Sequence, residues 1–454
     1  MFDRRARGNV FECMRVMAPL VAAMAASAVN QFVDRLFLSQ YSDEAIEGSL
    51  PGGMLGWLFI CLVMCTISYS GTFVSQYKGA GKRRAAVHAF AQGVWLSMAA
   101  APVFLALIPA GVWCFNFFGH APEVVRAEAD YYSVMMVGAP LNVLAAVCGG
   151  YFSGMGKTRI TGVAAAAGNA ANILLDWLFI FGKCGLPEGG IAGAAWASNL
   201  ATLVTCAVYA FAISRDKTFR ACGPLGGVFA FDWPLVKRIV RFGAPSGFQV
   251  ALDCFTFTVF VMMTGRLDAM SLAVSNVVFT VNHLSFAPLM GMNQAASVLA
   301  GNYMGAKDTA SATRAGASCL VVGWLYFALF ALFVALCGER MIDAFHGGEA
   351  SAFDPAQFRA LGMALMWILV SWGFFDATDL VLSGALKGAG DTRFVMCAFA
   401  IVSFCMWMPA FLAVMKITPG IIPLWLTMPA YCAVCATIIT TRWMRGKWKM
   451  LKLI

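Results

Sequence analysis

Charged residues are scarce in this sequence. Only 12% of the 454 residues are Asp, Glu, Lys or Arg, whereas 60% are hydrophobic, and the mean hydropathy is +0.75. Soluble globular domains carry about 25% charged residues. This composition cannot supply the polar surface of a soluble domain, so the expected class is an integral membrane protein.

The sequence also lacks the motifs typical of enzyme active sites and of nucleotide-binding loops. The four histidines are dispersed, and no Ser/His/Asp set or metal-spaced His/Glu group is present. The stretch Gly79-Ala80-Gly81-Lys82 lacks the spacing of a phosphate-binding loop. We therefore expect neither an enzyme nor an ATP-driven pump, and no cofactor. The 15 cysteines lack the spacing of a zinc site, so we interpret them as small membrane hydrophobes.

Apolar stretches of about 20 residues recur between short polar breaks, which is the transmembrane signal. Runs of this length exceed a membrane strand and lack its two-residue alternation, so they predict helices. The predicted fold is all-α, with twelve transmembrane helices. The predicted spans are residues 10–40, 51–77, 85–115, 130–153, 160–182, 190–213, 235–263, 270–303, 312–338, 357–386, 394–415 and 421–441.

Basic residues concentrate at the two termini and in every second connection between spans. These segments hold most of the 32 Lys and Arg residues. The positive-inside rule then places both termini and every even-numbered loop in the cytoplasm, for a multi-pass protein of the cell (inner or plasma) membrane. Because such short loops do not gather the charges on one folded face, no nucleic-acid partner is expected.

Three short motifs recur in the second half of the chain, two shifted by 226 residues and one by 234. They pair Met17-Ala18-Pro19 with Gly243-Ala244-Pro245, Gln76-Tyr77-Lys78-Gly79-Ala80 with Asn302-Tyr303-Met304-Gly305-Ala306, and Gly154-Met155-Gly156-Lys157-Thr158-Arg159 with Gly388-Ala389-Gly390-Asp391-Thr392-Arg393. Each half holds an even number of spans, so a pseudo-twofold axis along the membrane normal relates the copies. We predict six-helix lobes at 1–213 and 235–454, a cytoplasmic linker at 214–234, and a central cavity with alternating access.

Five aspartates interrupt the predicted spans: Asp34, Asp176, Asp253, Asp376 and Asp379. A charged Asp facing lipid at a helix centre costs about 2.5–3.5 kcal/mol, so these residues are expected to face the bundle interior or water. Most lie in stripes of oxygen-bearing side chains, which suit a proton relay or a hard cation. The alternative is interhelical hydrogen bonding that stabilises the bundle. The repeat does not duplicate the acids, so the two lobes are expected to differ in function.

The order and spacing of these features resemble the multidrug and toxic compound extrusion (MATE) family over essentially the whole chain. The resemblance rests on the twelve spans in two halves, on Asn172-x-x-x-Asp176 followed by an apolar stretch and Gly, and on the Gly388–Arg393 turn. It implies an N-lobe site for Na⁺ or H⁺. The residues of that site would be Asp34, Asn172, Asp176 and Ser198.

The same resemblance implies a C-lobe cation or substrate site at Asp253 and Asp376. Two positions depart from the family pattern. Ser39 stands where Gly is common, and Asp253 stands where the family usually has Glu, one methylene longer. The second departure leaves the geometry of a C-lobe ion open.

The function implied by the resemblance is secondary antiport, in which Na⁺ or H⁺ enters while an organic, commonly cationic compound leaves. A functional monomer in the lipid bilayer is expected. The alternatives are a flippase for a lipid-linked precursor, a polysaccharide exporter, a major-facilitator transporter, and a channel or membrane scaffold. Flux distinguishes an antiporter from a channel or scaffold, because a substrate gradient drives reverse movement of the cation only in the antiporter.

Overall fold

The described structure consists mainly of long helices. The computed structural model describes residues 6–41, 43–118, 122–185, 188–222, 225–345, 353–418 and 420–454, and these contain no strand. The helices are α1 (Val10–Tyr41), α2 (Asp43–Ser68), α3 (Ser70–Gly79), α4 (Arg83–Ala99), α5 (Ala101–Phe118), α6 (Pro122–Gly154), α7 (Thr158–Ile180), α8 (Gly190–Arg215), α9 (Lys217–Arg220), α10 (Leu225–Val228), α11 (Trp233–Thr264), α12 (Ala269–Gly305), α13 (Thr309–Ala344), α14 (Pro355–Ala389), α15 (Thr392–Ile401), α16 (Met408–Ile417) and α17 (Ile421–Arg445).

Twelve helical segments of the described chain are long and apolar enough to cross a membrane, which confirms the predicted number. Three of them are interrupted. The second span divides at Tyr69 and the third at Ala100, and the eleventh contains a π-helical turn at Val402–Trp407. The last two breaks precede Pro102 and Pro409, which lack the N–H that would continue the helical hydrogen bonds.

The chain packs into two units. The first-half unit consists of Ala22–Ala251, Gly301–Lys307 and Leu453–Ile454. The second-half unit consists of Met1–Val21, Leu252–Ala300 and Asp308–Lys452. Helices α1 and α11 thus each contribute to both units. The predicted lobe boundaries at 213 and 235 come from the repeat, and that division stays a prediction.

Part of the predicted linker at 214–234 is helical, although its residues 223 and 224 lie outside the described chain. It contains α9 and α10, and it packs on α4 of the first-half unit. The Gln92 amide donates to the Ala230 carbonyl over 2.8 Å, and the Trp95 indole donates to the Phe229 carbonyl over 2.8 Å. These bonds attach the linker to the body of the unit.

Small residues let the helices of the first-half unit approach each other closely. A Cβ added to Gly71 of α3 would lie 2.9 Å from Gly150 of α6, and one added to Gly243 of α11 would lie 2.1 Å from the Thr66 carbonyl oxygen. Close backbone approach of this kind is typical of membrane helices, which gain little from hydrophobic contact with each other.

The last turns of α3 and α12 make a reciprocal contact within the same unit. A Cβ at Gly79 would lie 1.9 Å from the carbonyl oxygen of Asn302, and a Cβ at Gly305 would lie 1.9 Å from that of Gln76. All four residues belong to the second repeated motif. The two copies of that motif therefore contact each other through equivalent residues.

Each half has an ion pair at the start of its fifth span, and the positions of the acidic and basic residues are exchanged between the halves. Lys157 Nζ lies 2.6 Å from Asp216 Oδ1, and Arg442 Nε lies 2.7 Å from Asp391 Oδ2. Lys157 and Asp391 precede α7 and α15 and are equivalent under the shift of 234. The basic residue thus begins the fifth span in one half, and the acidic residue does so in the other.

The Asp216 carboxyl is buried, and both of its oxygen atoms accept hydrogen bonds. Besides Lys157 it accepts hydrogen bonds from the Tyr151 hydroxyl at 3.1 Å and the Thr218 amide at 2.8 Å. Burial acts to raise the pKa of Asp216, but the bonds from Lys157 and Thr218 outweigh it and hold the pKa below its ordinary value. Asp216 therefore stays charged.

Candidate functional site

A pair of carboxyl groups joins α1 to α7. Asp34 lies in the second half of α1 and Asp176 near the end of α7, and their side chains are within hydrogen-bonding distance. Asp176 is completely buried, whereas Asp34 is half-buried. The structure thus brings together two of the acids that the sequence placed in one site.

Two asparagines connect these carboxyl groups. The Asn172 amide donates to Asp176 Oδ2 over 2.9 Å, as the i, i+4 spacing on α7 allows. The Asn30 amide donates to Asn172 Oδ1 and approaches Asp34 Oδ2 at 3.5 Å. Asn30 and Asn172 are both buried. The four side chains form one closed polar network inside an apolar bundle.

Three oxygen atoms of this network have no hydrogen-bond partner within the described part of the chain: Asn30 Oδ1, Asp34 Oδ1 and Asp176 Oδ1. Leaving a buried acceptor unpaired costs about 1–3 kcal/mol, and more for a charged one. Three such atoms in one network therefore favour a ligand that supplies positive charge. Amide and carboxylate oxygens are suitable ligands for a hard cation, and a carboxyl pair also accepts a proton.

An apolar layer borders the carboxyl pair. Leu38, Ile180 and Ala194 are buried together, and Tyr131 of α6 packs against them. Tyr131 also interacts electrostatically with Asp34 and Asp176. This tyrosine was missing from the predicted site, because the sequence around it in α6 carries no pattern that links it to α1 or α7.

Ser198 occupies α8 and is half-buried. Its carbonyl accepts a hydrogen bond from the Thr202 hydroxyl over 2.9 Å. Among the described residues no hydrogen bond connects the Ser198 hydroxyl to Asp34 or Asp176. The predicted role of Ser198 as a hydroxyl ligand stays a prediction.

Three further acids are close together in the second-half unit. Asp253 lies on α11, and Asp376 and Asp379 lie one turn apart on α14. Asp376 interacts electrostatically with Asp253, and Asp379 interacts with both of them. Asp379 is buried, while the other two are half-buried. The structure thus groups Asp253 with Asp376, as predicted, and adds Asp379.

Aromatic side chains surround part of this acidic group. The Tyr431 and Ser403 hydroxyls are 3.1 Å apart, and Tyr431 interacts electrostatically with Asp253. Trp425 stacks on Phe279 with ring centroids 5.0 Å apart, and its indole donates to Ser275 over 3.2 Å. Tyr431 thus brings an aromatic ring next to the acidic group.

A sequence model of the MatE family matches this chain twice, at residues 19–178 and at residues 245–412. The two matches together cover well over half of the chain. The chain belongs to the MATE family.

The MATE matches also confirm the internal repeat. They begin at 19 and 245, which are 226 residues apart, and end at 178 and 412, which are 234 apart. These are the two offsets of the repeated motifs. Asp34, Asn172 and Asp176 lie in the first match and Asp253 and Asp376 in the second, whereas Ser198 lies in neither.

Several relatives of this MATE protein carry the name "Probable multidrug resistance protein NorM". The one from Thermotoga maritima is 26% identical over 96% of this chain and 93% of its own length. The one from Pseudomonas putida is 23% identical over 97% and 95%. The one from Mesorhizobium japonicum is 30% identical over 279 residues, which are 61% of this chain and 59% of the relative.

Solved MATE structures share the fold. A MATE protein in complex with MaL6 has a TM-score of 0.86 and 18% identity, with 98% of both chains covered. A MOP superfamily transporter from Pyrococcus furiosus has a TM-score of 0.85 and 18% identity, covering 99% of this chain and 98% of its own. The whole chain, and not only one half of it, therefore adopts the MATE fold.

Proposed function

We propose that this protein is a secondary active antiporter that exports organic, drug-like cations in exchange for Na⁺ or H⁺ by alternating access. The observation that carries the proposal is the Asp34–Asp176 pair, whose network with Asn30 and Asn172 holds three unpartnered oxygen atoms. Membership of the MATE family and the names of the multidrug-resistance relatives support it.

The carboxyl pair requires a positive charge. Neighbouring carboxylates repel each other when both are charged, by about 4 kcal/mol for two unit charges 4 Å apart at an effective dielectric constant of 20. A shared proton or a bound cation removes this repulsion. The pair therefore holds one ion of either kind when it is occupied and favours separation when it is not.

The asparagines fix the geometry for that ion. Asn172 donates to Asp176 Oδ2 and accepts from Asn30, so the Oδ1 atom of each carboxyl group is left for the ion. With Asn30 Oδ1, three oxygens are available to Na⁺. A proton needs only the two carboxyl oxygens. The same residues thus serve either coupling ion.

Exchange follows from competition for negative charge. Entry of the coupling ion halves the negative charge of the carboxyl pair and changes the contact between α1 and α7. A cationic substrate then loses its electrostatic partner and is released. When the ion leaves on the cytoplasmic side, the carboxylates are again available to attract a cation.

Transport in proteoliposomes tests the proposal. Inward Na⁺ and H⁺ gradients are imposed separately, and efflux of a fluorescent organic cation is followed. We expect one gradient to drive efflux in the wild-type protein. Asp176→Asn should reduce the gradient-driven rate at least about tenfold, because it removes one charge of the pair.

Asp343→Asn is the matched control. Asp343 forms an exposed ion pair with Arg359 at 2.7 Å, and exposed pairs contribute little to stability. Its transport should equal that of the wild type. Gradient-driven efflux that is the same in Asp176→Asn as in the control would refute the coupling role of the carboxyl pair, and movement of a lipid-linked precursor without any organic-cation flux would favour the flippase alternative.

A further inference from the structure

A thiol lies beside two of the acids in the second-half unit. Asp376 and Asp379 of α14 and Cys432 of α17 each offer a ligand atom, and these atoms all lie within 4.8 Å of one another. Asp379 and Cys432 are buried, with 1% and 3% of their surface exposed. Asp376 is half-buried and is the most exposed member of the group.

The Asp379 side chain indicates independently that this group takes a ligand. Its Oδ1 atom is buried and has no hydrogen-bond partner in the described chain. A carboxylate oxygen left in this state costs free energy that a bound cation would recover. The i, i+3 spacing on α14 places Asp376 on the same helix face, next to it.

The local charge balance calls for a cation. Asp253 and Asp376 both act electrostatically on Asp379. The basic residue that acts on it is Lys387, two helical turns further along α14. Neighbouring carboxyl groups of this kind favour a cation between them, since it offsets their mutual repulsion.

The Cys432 thiol indicates which class of cation the group would bind, because metal ions differ in their preference for sulfur and oxygen ligands. Sodium takes oxygen ligands and gains little from sulfur, whereas Zn²⁺ and similar metals bind Cys sulfur and carboxylate oxygen together. We propose that Asp376, Asp379 and Cys432 form a binding site for a thiophilic divalent cation. On binding, the Cys432 thiol releases its proton to water and the sulfur becomes a thiolate ligand.

The geometry suits three protein ligands and one open position. Bonds of about 2.0–2.2 Å to oxygen and about 2.3 Å to sulfur put the ligand atoms of a tetrahedral site roughly 3.5 Å apart. Side-chain rotation brings atoms within 4.8 Å to that separation. The helices need not move, and water fills the fourth position.

Cadmium binding tests the site, because cadmium–thiolate bonds absorb in the ultraviolet. The protein is purified in detergent after its exposed cysteines, Cys184, Cys397 and Cys405, are replaced by Ser. We expect one equivalent of Cd²⁺ to produce the thiolate band and Zn²⁺ to remove it. Cys432→Ser should abolish the band, and Asp379→Asn should weaken the affinity by at least about tenfold.

Cys435→Ser is the matched control, since Cys435 is buried one turn further along α17 but is not one of the three ligands. It should keep the band and the wild-type affinity. Asp376→Asn, at a half-buried position, serves as the second test if Cys432→Ser does not fold, and it should weaken the affinity for Cd²⁺. No band in the background protein, a band that survives Cys432→Ser, or a band lost in Cys435→Ser would overturn the assignment.

One consequence rests on the proposed function. If Asp376 takes part in transport, Zn²⁺ should inhibit efflux in the background protein and not in Cys432→Ser. Binding without inhibition would leave the site in place and reject only its link to transport. If neither Cd²⁺ nor Zn²⁺ binds while ion-coupled efflux is intact, the metal site is rejected and the proposed antiport function is not affected.

Discussion

The reciprocal glycine contact between α3 and α12 should be intolerant of a single methyl group. In Gly79→Ala the new Cβ would lie 1.9 Å from the Asn302 carbonyl oxygen, and in Gly305→Ala it would lie 1.9 Å from the Gln76 oxygen. Real Cβ atoms almost never come closer than 3.0 Å. The obstructing atoms belong to backbone, so the two helix ends must separate by about 1 Å.

Overpacking of this kind costs about 1–3 kcal/mol, and better helix propensity of Ala returns about 0.5–1 kcal/mol. We therefore expect each single variant to lose about 1–2 kcal/mol of unfolding free energy. The same separation relieves both clashes, so the double variant should lose less than the sum of the singles.

Unfolding titrations in mixed detergent micelles measure these values as a double-mutant cycle. Gly323→Ala on α13 is the control, because its Cβ would meet its nearest atom at 3.6 Å, an ordinary contact; it should be neutral or slightly stabilising. Full stability in Gly79→Ala and Gly305→Ala, or strictly additive losses in the double variant, would refute the reasoning.

Two further predictions concern the ion pairs. Lys157→Met should destabilise the protein by about 1–3 kcal/mol, because it leaves the buried Asp216 carboxylate without its cation. In unfolding titrations, the exchange Lys157→Asp with Asp216→Lys should recover at least half of the loss, since the pair of Asp391 with Arg442 has its charges in that order. No recovery would show that the two halves do not share the geometry of this ion pair. The pKa of Asp216 is held below its ordinary value of 3.8, so its contribution to stability is complete above the unfolded-state pKa and disappears as pH falls through the folded-state pKa. The thermal midpoint should therefore fall more steeply in wild type than in Asp216→Asn below about pH 4, and parallel curves would contradict this.

The sequence predicted the membrane architecture because span length and apolarity are local properties. Twelve spans and the repeat follow from spacing along the chain, whereas the grouping of Asp34 with Asp176 came only from the resemblance to the MATE family. The break at Tyr69 did not, because it accompanies the close approach of Gly71 to Gly150, a contact between distant segments. Packing of this kind leaves no periodic signal.

The chemistry of the second-half unit was also only partly accessible from the sequence. The sequence predicts Cys432 to be a small membrane hydrophobe, because no other metal-ligating residue lies at short spacing from it with the pattern of a metal site. Its nearness to Asp376 and Asp379 arises where α14 packs on α17. Tyr131 was missed for the same reason, since it approaches Asp34 and Asp176 from a different helix.

The two halves share a scaffold but surround their acids with different partners. In the first-half unit, Asn30 and Asn172 lie among the carboxyl groups, and amides both donate to a carboxylate and accept a positive ion. In the second-half unit, Asp379 has a thiol and two other acids as neighbours. An amide-supported pair can release a single charge by a small change in geometry, whereas an acidic group with a thiol gains most from a divalent ion. The repeated helices are therefore retained in both halves, while the polar partners of the acids differ.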